Sequence, residues 1–274
     1  MSQQGIQQLD MNMFANINPD TLEILYLNEN ELTTFNNESL LILEKFTKLK
    51  VLDLSSNFIQ NLDENVFKTL NKLEVLNMNE NKLCCLSDST FQPLSTNLKE
   101  LYLGFNRLSV NANLFKNLNK LEVLSLENNE QIEMRDETIF ADLINLKQLD
   151  LHYCNIDYLN ENVFKNLKNL ESLHLYGNKL SNVNLSPFLF SQLTRLKELF
   201  LRNNDLNLLD AYLFKSLKEL EILDLSKNNL KEFKHVNVFN ELVNLKTINL
   251  SENMCQLDLN FIRSSFPKTV NVII

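Results

Sequence analysis

Leu49 to Lys72 read LKVLDLSSNFIQNLDENVFKTLNK, and the same order of residue types returns from Leu196 to Glu219 as LKELFLRNNDLNLLDAYLFKSLKE. Both fit one template, LxxLxLxxNxLxxLxxxxFxxLxx. Aligning the chain on Leu22, Leu49, Leu73, Leu98, Leu121, Leu146, Leu170, Leu196, Leu220 and Leu245 gives spacings of 27, 24, 25, 23, 25, 24, 26, 24 and 25 residues, so ten units line up. Self-similarity at a fixed period of this size marks an array in which each copy packs on its neighbours.

Each unit opens with an alternating segment whose third and fifth positions after the leading Leu are apolar, the pattern of a half-buried strand. Stacked copies therefore pair their strands in parallel. Eight positions after the leading Leu stands Asn30, Asn57, Asn81, Asn106, Asn129, Asn178, Asn204, Asn228 or Asn253. A buried amide at a bend can bond backbone groups of its own and the neighbouring coil. With only three Gly and four Pro in 274 residues, such amides are the expected means of turning the chain. Phe67, Phe91, Phe115, Phe140, Phe164, Phe190, Phe214 and Phe239 recur once per unit near its end, which builds a continuous apolar column.

The LxxLxLxxN run with its following Phe column resembles the leucine-rich repeats of the roughly 24-residue type, familiar from Toll-like receptor ectodomains, small proteoglycans and insect immune recognition proteins. The resemblance implies an α/β solenoid: a right-handed horseshoe with a parallel β-sheet on the concave face and irregular or short helical segments on the convex face. It covers nearly the whole chain, read as one solenoid over 1–274, with a partial repeat lacking its strand at 1–21, nine full repeats at 22–244, and a terminal repeat or the start of a cap at 245–274. Two departures stand out. The Pro common after the fifth Leu is replaced by Asp63, Ser87, Asn160 or Asp210, and neither end carries the Cys-rich caps of many extracellular members.

At the N-terminal end, Ile6 to Ile17 (IQQLDMNMFANI) matches Ile59 to Leu70 (IQNLDENVFKTL), so the chain begins partway through a repeat. The strand after Leu22 is then expected to present an open apolar edge, covered by upstream chain or by a partner. Cys255, two residues after Asn253, reads as a small buried apolar residue.

A formal charge of −9 argues against nucleic acid or anionic membrane as a general partner. No run approaches the roughly 18 apolar residues of a membrane-spanning helix, and MSQQGIQQLD has neither the basic nor the apolar region of an export signal. Cys84, Cys85, Cys154 and Cys255 show no paired metal-ligand spacing and signal no disulfide framework. Adjacent Cys84 and Cys85 leave open an intermolecular disulfide, a free thiol or a strained vicinal disulfide.

LKQLDLHYCNIDYL, residues 146–159, gathers Asp150, His152, Tyr153 and Cys154, residue types from which a nucleophilic site can be made. The strand alternation separates them. Leu149 and Leu151 point inward, Asp150 and His152 point out onto the sheet, and Cys154 takes the Asn position and turns into the core. A thiol nucleophile needs its base within hydrogen-bond reach, so this set is not expected to form an enzyme site.

Outward positions across neighbouring strands collect large groups in the units beginning at Leu98, Leu146, Leu170 and Leu196. Tyr102, Phe105, His152, Tyr153, His174, Tyr176, Phe200 and Arg202, with acidic Glu127 and Asp150, form the expected ligand-binding patch. Aromatic and Arg side chains supply large rigid contact area. The plain alternative is that aromatics suit β-structure; their clustering, against Ser, Asn and Asp in flanking units, favours binding. His152 and His174 lie close enough to suggest a metal or a pH switch, with histidines in a polar binding surface as the ordinary alternative. His235 falls on a distant convex segment. No metal ligand set and no cofactor are assigned.

Asn37, Asn184 and Asn249 begin Asn-x-Ser sequons; the first two fall on expected loops and the third on the sheet. The expected function is a non-enzymatic recognition module, a receptor ectodomain or secreted immune or adhesion protein located outside the cell or at its surface. The expected partner is a protein, with glycan, lipid and homo- or hetero-dimerisation left open. The alternative is a cytosolic scaffold or adaptor.

Overall fold

A computed structural model describes residues 1–34, 37–231, 236–254 and 266–274, the side chains of 37, 38, 236 and 237 excepted. Cys255 and His235 lie outside the described residues. The chain divides into two compact units, Met1–Gln131 with Asp142–Leu146, and Ile132–Ala141 with Lys147–Ile274.

The first unit contains five strands, β1 (Ile24–Tyr26), β2 (Val51–Asp53), β3 (Val75–Asn77), β4 (Glu100–Tyr102) and β5 (Val123–Ser125), paired in parallel in chain order. Helix α1 (Asn37–Leu43) and a 3₁₀ turn at Gln92–Leu94 lie on the return path. The second unit contains β6 (Gln148–Asp150), β7 (Ser172–His174), β8 (Glu198–Phe200), β9 (Ile222–Asp224), β10 (Thr247–Asn249) and β11 (Asn271–Ile273), again parallel and in chain order. Equal template positions pair throughout, as Leu52↔Leu76 and Leu173↔Leu199 show. This is the parallel-strand repeat solenoid expected, with little helix.

The middle residue of each three-residue strand is held by the core. Leu25, Leu52, Leu76, Leu101 and Leu124 in the first unit, and Leu149, Leu173, Leu199, Leu223 and Ile248 in the second, are 4% exposed or less. The strand then meets the Asn turn. Asn57 is typical: its Nδ2 donates to the carbonyls of Leu27 at 2.9 Å and Leu54 at 3.0 Å, while its Oδ1 accepts from the Leu32 amide at 3.0 Å. One side chain thereby satisfies polar backbone groups in its own coil and the one before it.

The residue before that Asn, or before Cys154 in its place, adopts a left-handed backbone: Glu29, Ser56, Glu80, Phe105 and Asn128 in the first unit, and Tyr153, Gly177, Asn203, Lys227 and Glu252 in the second, all with φ between 52° and 70°. Only Gly177 is free of the Cβ penalty, so the turn is imposed by the Asn bonds and the core at a local cost.

The Phe column forms within both units. Phe67 stacks on Phe91 at 6.1 Å in the first; Phe140, Phe164, Phe190, Phe214 and Phe239 follow one another at 6.3 to 6.5 Å in the second. Phe14 packs on Phe46 at 5.3 Å, and Phe266 on Phe239 at 5.3 Å, extending the column beyond the residues expected.

A second column, unread in the sequence analysis, runs along the strand entrances. The residue after the leading Leu alternates in sign from coil to coil, giving Lys50–Glu23 at 2.9 Å, Lys99–Glu74 at 2.7 Å, Lys197–Glu171 at 2.7 Å and Lys246–Glu221 at 2.6 Å. These pairs are solvated, so they contribute to stacking register more than to stability. A coil shifted by one unit would bring like charges together.

The two ends pack differently. At the start, Met1–Ile6 lie along the first Asn turn, with the Gln3 amide donating to the Asn28 carbonyl, Asn30 Nδ2 to the Met1 carbonyl and the Glu31 amide to the Ile6 carbonyl. Ile24 and Tyr26 nevertheless remain 49% exposed. At the far end, β11 adds a further coil, with Thr247↔Asn271 and Ile248↔Val272 in register. It keeps the period of 24 with Thr269 in place of the leading Leu.

Candidate functional site

The strand alternation places the middle residue of each strand in the core and its neighbours on the open face of the sheet. In the second unit, β6, β7 and β8 align Asp150, His174 and Phe200 side by side. Asp150 also closes a local turn. Its Oδ1 accepts from the His152 amide at 3.0 Å and lies 2.6 Å from His152 Nδ1. Asp53 with Ser55 and Asp224 with Ser226 make the same turn elsewhere, with a hydroxyl in place of the imidazole.

The rings beyond this carboxylate form one connected cluster. His152 stacks on Tyr176 at 4.2 Å and 12°, Tyr153 stands edge-on to Tyr176 at 5.5 Å, and His174 stands edge-on to Phe200 at 4.7 Å. Tyr153, at a left-handed position, lies across Gly177, where a Cβ would run into the Tyr153 ring. The ring above it therefore leaves no room for a Cβ, and glycine also carries its φ of 70° without the penalty the other units bear. Arg202, half-buried on the same face, accepts the Gly177 amide on its carbonyl at 2.9 Å.

His174 is held from its other side by residues the sequence analysis did not select. Its Nε2 lies 3.2 Å from Ser172 Oγ, which donates to Glu198 Oε2 at 3.0 Å. Burial alone would raise the Asp150 carboxyl; hydrogen bonds from His152 and His174, and from the His152 amide, outweigh it and hold the group well below the usual carboxylate range.

The first unit carries the remaining expected patch residues. Tyr102 donates to Glu100 Oε2 at 2.8 Å, and its phenol is pushed up to about 12, first by burial and then by the carboxylates of Glu100 and Glu127. Phe105 is 47% exposed at its left-handed position. Glu127, expected on the exposed face, is instead buried at 8%. It fills the space left by Gly104, where a Cβ would meet its carboxylate. It is thereby a less accessible contact than its template position suggested.

The expected separation of His152 from Cys154 holds in the structure. Cys154 is fully buried, its amide donates to Asn178 Oδ1 at 3.0 Å, and its Sγ reaches the His152 carbonyl rather than the ring. Cys84 is half-buried and Cys85 exposed, both as free thiols, and a hydrogen bond with Cys84 raises the Cys85 thiol. Of the sequons, Asn184 is exposed in a turn. Asn37, expected on a loop, is the first residue of α1, and Asn249 lies in β10 with its Oδ1 accepting from Ser251.

The family model described as leucine rich repeat matches residues 47–108, 96–156, 119–180 and 182–230, more than half of the chain. The chain belongs to the leucine-rich repeat family. A comparison with curated protein sequences finds no match. Among solved structures, the chain is similar to one in the octameric complex of Latrophilin 3, Unc5D and FLRT2, at TM-score 0.75 and 23% identity, covering 98% of this chain and 86% of that one. It is also similar to one in the Toll–Spatzle complex of Drosophila, at TM-score 0.74 and 22% identity, covering 98% of this chain and 40% of that one. A third is the ectodomain of the plant receptor kinase GASSHO1/SCHENGEN3 from Arabidopsis thaliana in complex with CASPARIAN STRIP INTEGRITY FACTOR 2, at TM-score 0.69 and 27% identity, covering 92% of this chain and 29% of that one. These likenesses establish the fold; among the described residues no helix is long and apolar enough to cross a membrane.

Proposed function

We propose that the protein is a non-enzymatic recognition module that binds a protein partner on the open face of its sheet. The observation that carries the reading is the cluster of His152, Tyr153, His174, Tyr176 and Phe200, whose rings hold one another in place and present rigid area at low entropic cost. Arg202 extends the set within the second unit; Tyr102 and Phe105 are separate candidate contacts on the first. Solved relatives that include receptor ectodomains in complexes with other proteins support the same reading. This likeness also supports a receptor-like or secreted role outside the cell, in immunity or adhesion, for which exposed Asn184 is the candidate glycan acceptor. A cytosolic scaffold is the second reading, favoured by the free thiols of Cys84 and Cys85.

The test is partner retention. Replacing Tyr176 and Phe200 together by Ala is expected to abolish retention of a partner from the source tissue while leaving the unfolding midpoint within a few degrees. Retention equal to that of the unaltered chain would move the contact off this face.

A further inference from the structure

We propose that Asp150, His152 and His174 form a binding site for a divalent transition-metal ion, with zinc the expected occupant. The inference goes beyond the binding reading above and does not depend on it. One potential ligand atom from each of the three residues lies within 4.8 Å of the other two. Tetrahedral zinc with nitrogen and oxygen ligands holds such atoms roughly 3.3 Å apart; His174 Nδ1 lies 3.1 Å from Asp150 Oδ2 and His152 Nδ1 2.6 Å from Asp150 Oδ1. Two imidazoles and one carboxylate suit zinc, cobalt, nickel or copper, whereas calcium and magnesium take oxygen donors. Three protein ligands also leave a fourth position for water or another donor.

The backbone delivers the set. Asp150 and His174 are direct partners in the β6–β7 register, and the local turn brings His152 to the same carboxylate. The places flanking the equivalent carboxylates of Asp53 and Asp224 hold Ser55 with Asn77 and Ser226 with Asn249, none of them a metal ligand of this kind.

Hydrogen bonding behind His174 orients its ring. Ser172 has one hydroxyl proton and gives it to Glu198, which as a carboxylate only accepts. Ser172 Oγ is then left to accept, from the Nε2–H of His174. His174 Nδ1 then faces Asp150 Oδ2 across the sheet, where one ion could bond to both atoms. Hydrogen bonds from residues behind a ligating imidazole are the usual means of fixing its tautomer and orientation. Stacking on Tyr176 and packing against Phe200 restrain the two rings further.

The experiment titrates zinc into chelator-treated protein by calorimetry, with cobalt as a spectroscopic probe, in a Cys84→Ser, Cys85→Ser background that removes the accessible thiols. The expected result is one zinc per chain and a cobalt spectrum lacking a thiolate charge-transfer band. His152→Ala and His174→Ala should each weaken binding at least tenfold, and Ser172→Ala about tenfold through the orientation of His174. Far-UV circular dichroism confirms that each variant is folded. No binding to the folded background, or binding that both histidine variants retain at full strength, overturns the proposal.

Discussion

Phe164→Ala is expected to lower the unfolding free energy by about 3 to 5 kcal/mol, read as a fall in the denaturant midpoint at unchanged slope. Phe164 is fully buried, with Phe140 at 6.4 Å on one side and Phe190 at 6.5 Å on the other. Truncation removes the transfer free energy of the ring and leaves a cavity that stacked neighbours cannot fill, because each is fixed by its own coil. The comparison variant is Phe188→Ala: Phe188 is 59% exposed, and its loss should shift stability by no more than about 0.5 kcal/mol. If both variants left the midpoint unmoved, the column would not be the core of the repeat.

Asn178→Ala is the second large effect, about 3 kcal/mol, and it has a different origin. The side chain is 6% exposed and makes four bonds to backbone. Nδ2 donates to the carbonyls of Leu151 at 2.8 Å and Leu175 at 3.0 Å, and Oδ1 accepts from the amides of Cys154 and Ile156, both at 3.0 Å. Alanine removes little apolar contact but strands polar groups away from water, each costing about 1 to 3 kcal/mol unless the turn loosens to admit solvent. That loosening should appear as faster amide exchange at Cys154 and Ile156. Exposed Asn207, replaced by Ala, should leave both stability and exchange unchanged; a similar loss in the two variants would mean that asparagine content, rather than the buried turn, is what matters.

Particular residues show what was legible in the sequence. The strand spacing, the Asn turns and the Phe column could be read because one residue type recurs at one place, and the physics that needs it is the same in every coil. Pairing of Asp150 with His174 was equally legible, since both stand four residues after a leading Leu. The final strand was not, because Thr269 replaces the Leu that announces a coil. The left-handed residue before each Asn was hidden by its variety: Glu80, Phe105 and Lys227 share no preference for that backbone, and tertiary bonding imposes it. Ser172 and Glu198 escaped selection because nothing in a serine marks it as the support of a histidine one pleat away. The alternating Glu and Lys of the strand entrances were visible throughout, and only the structure shows that adjacent coils pair them.

The placement of the aromatic cluster depends on the register of residues 146–154, which sends His152 outward and Cys154 inward. Thiol labelling tests it most directly, with each cysteine's alkylation rate measured by peptide mass spectrometry in the native protein and normalised to its rate in denaturant. Cys85, exposed, should label in the native state, while Cys154, fully buried, should stay unmodified until the chain unfolds. Native labelling of Cys154 as fast as Cys85 would contradict the register, and with it the placement of the aromatic cluster on the face proposed to bind.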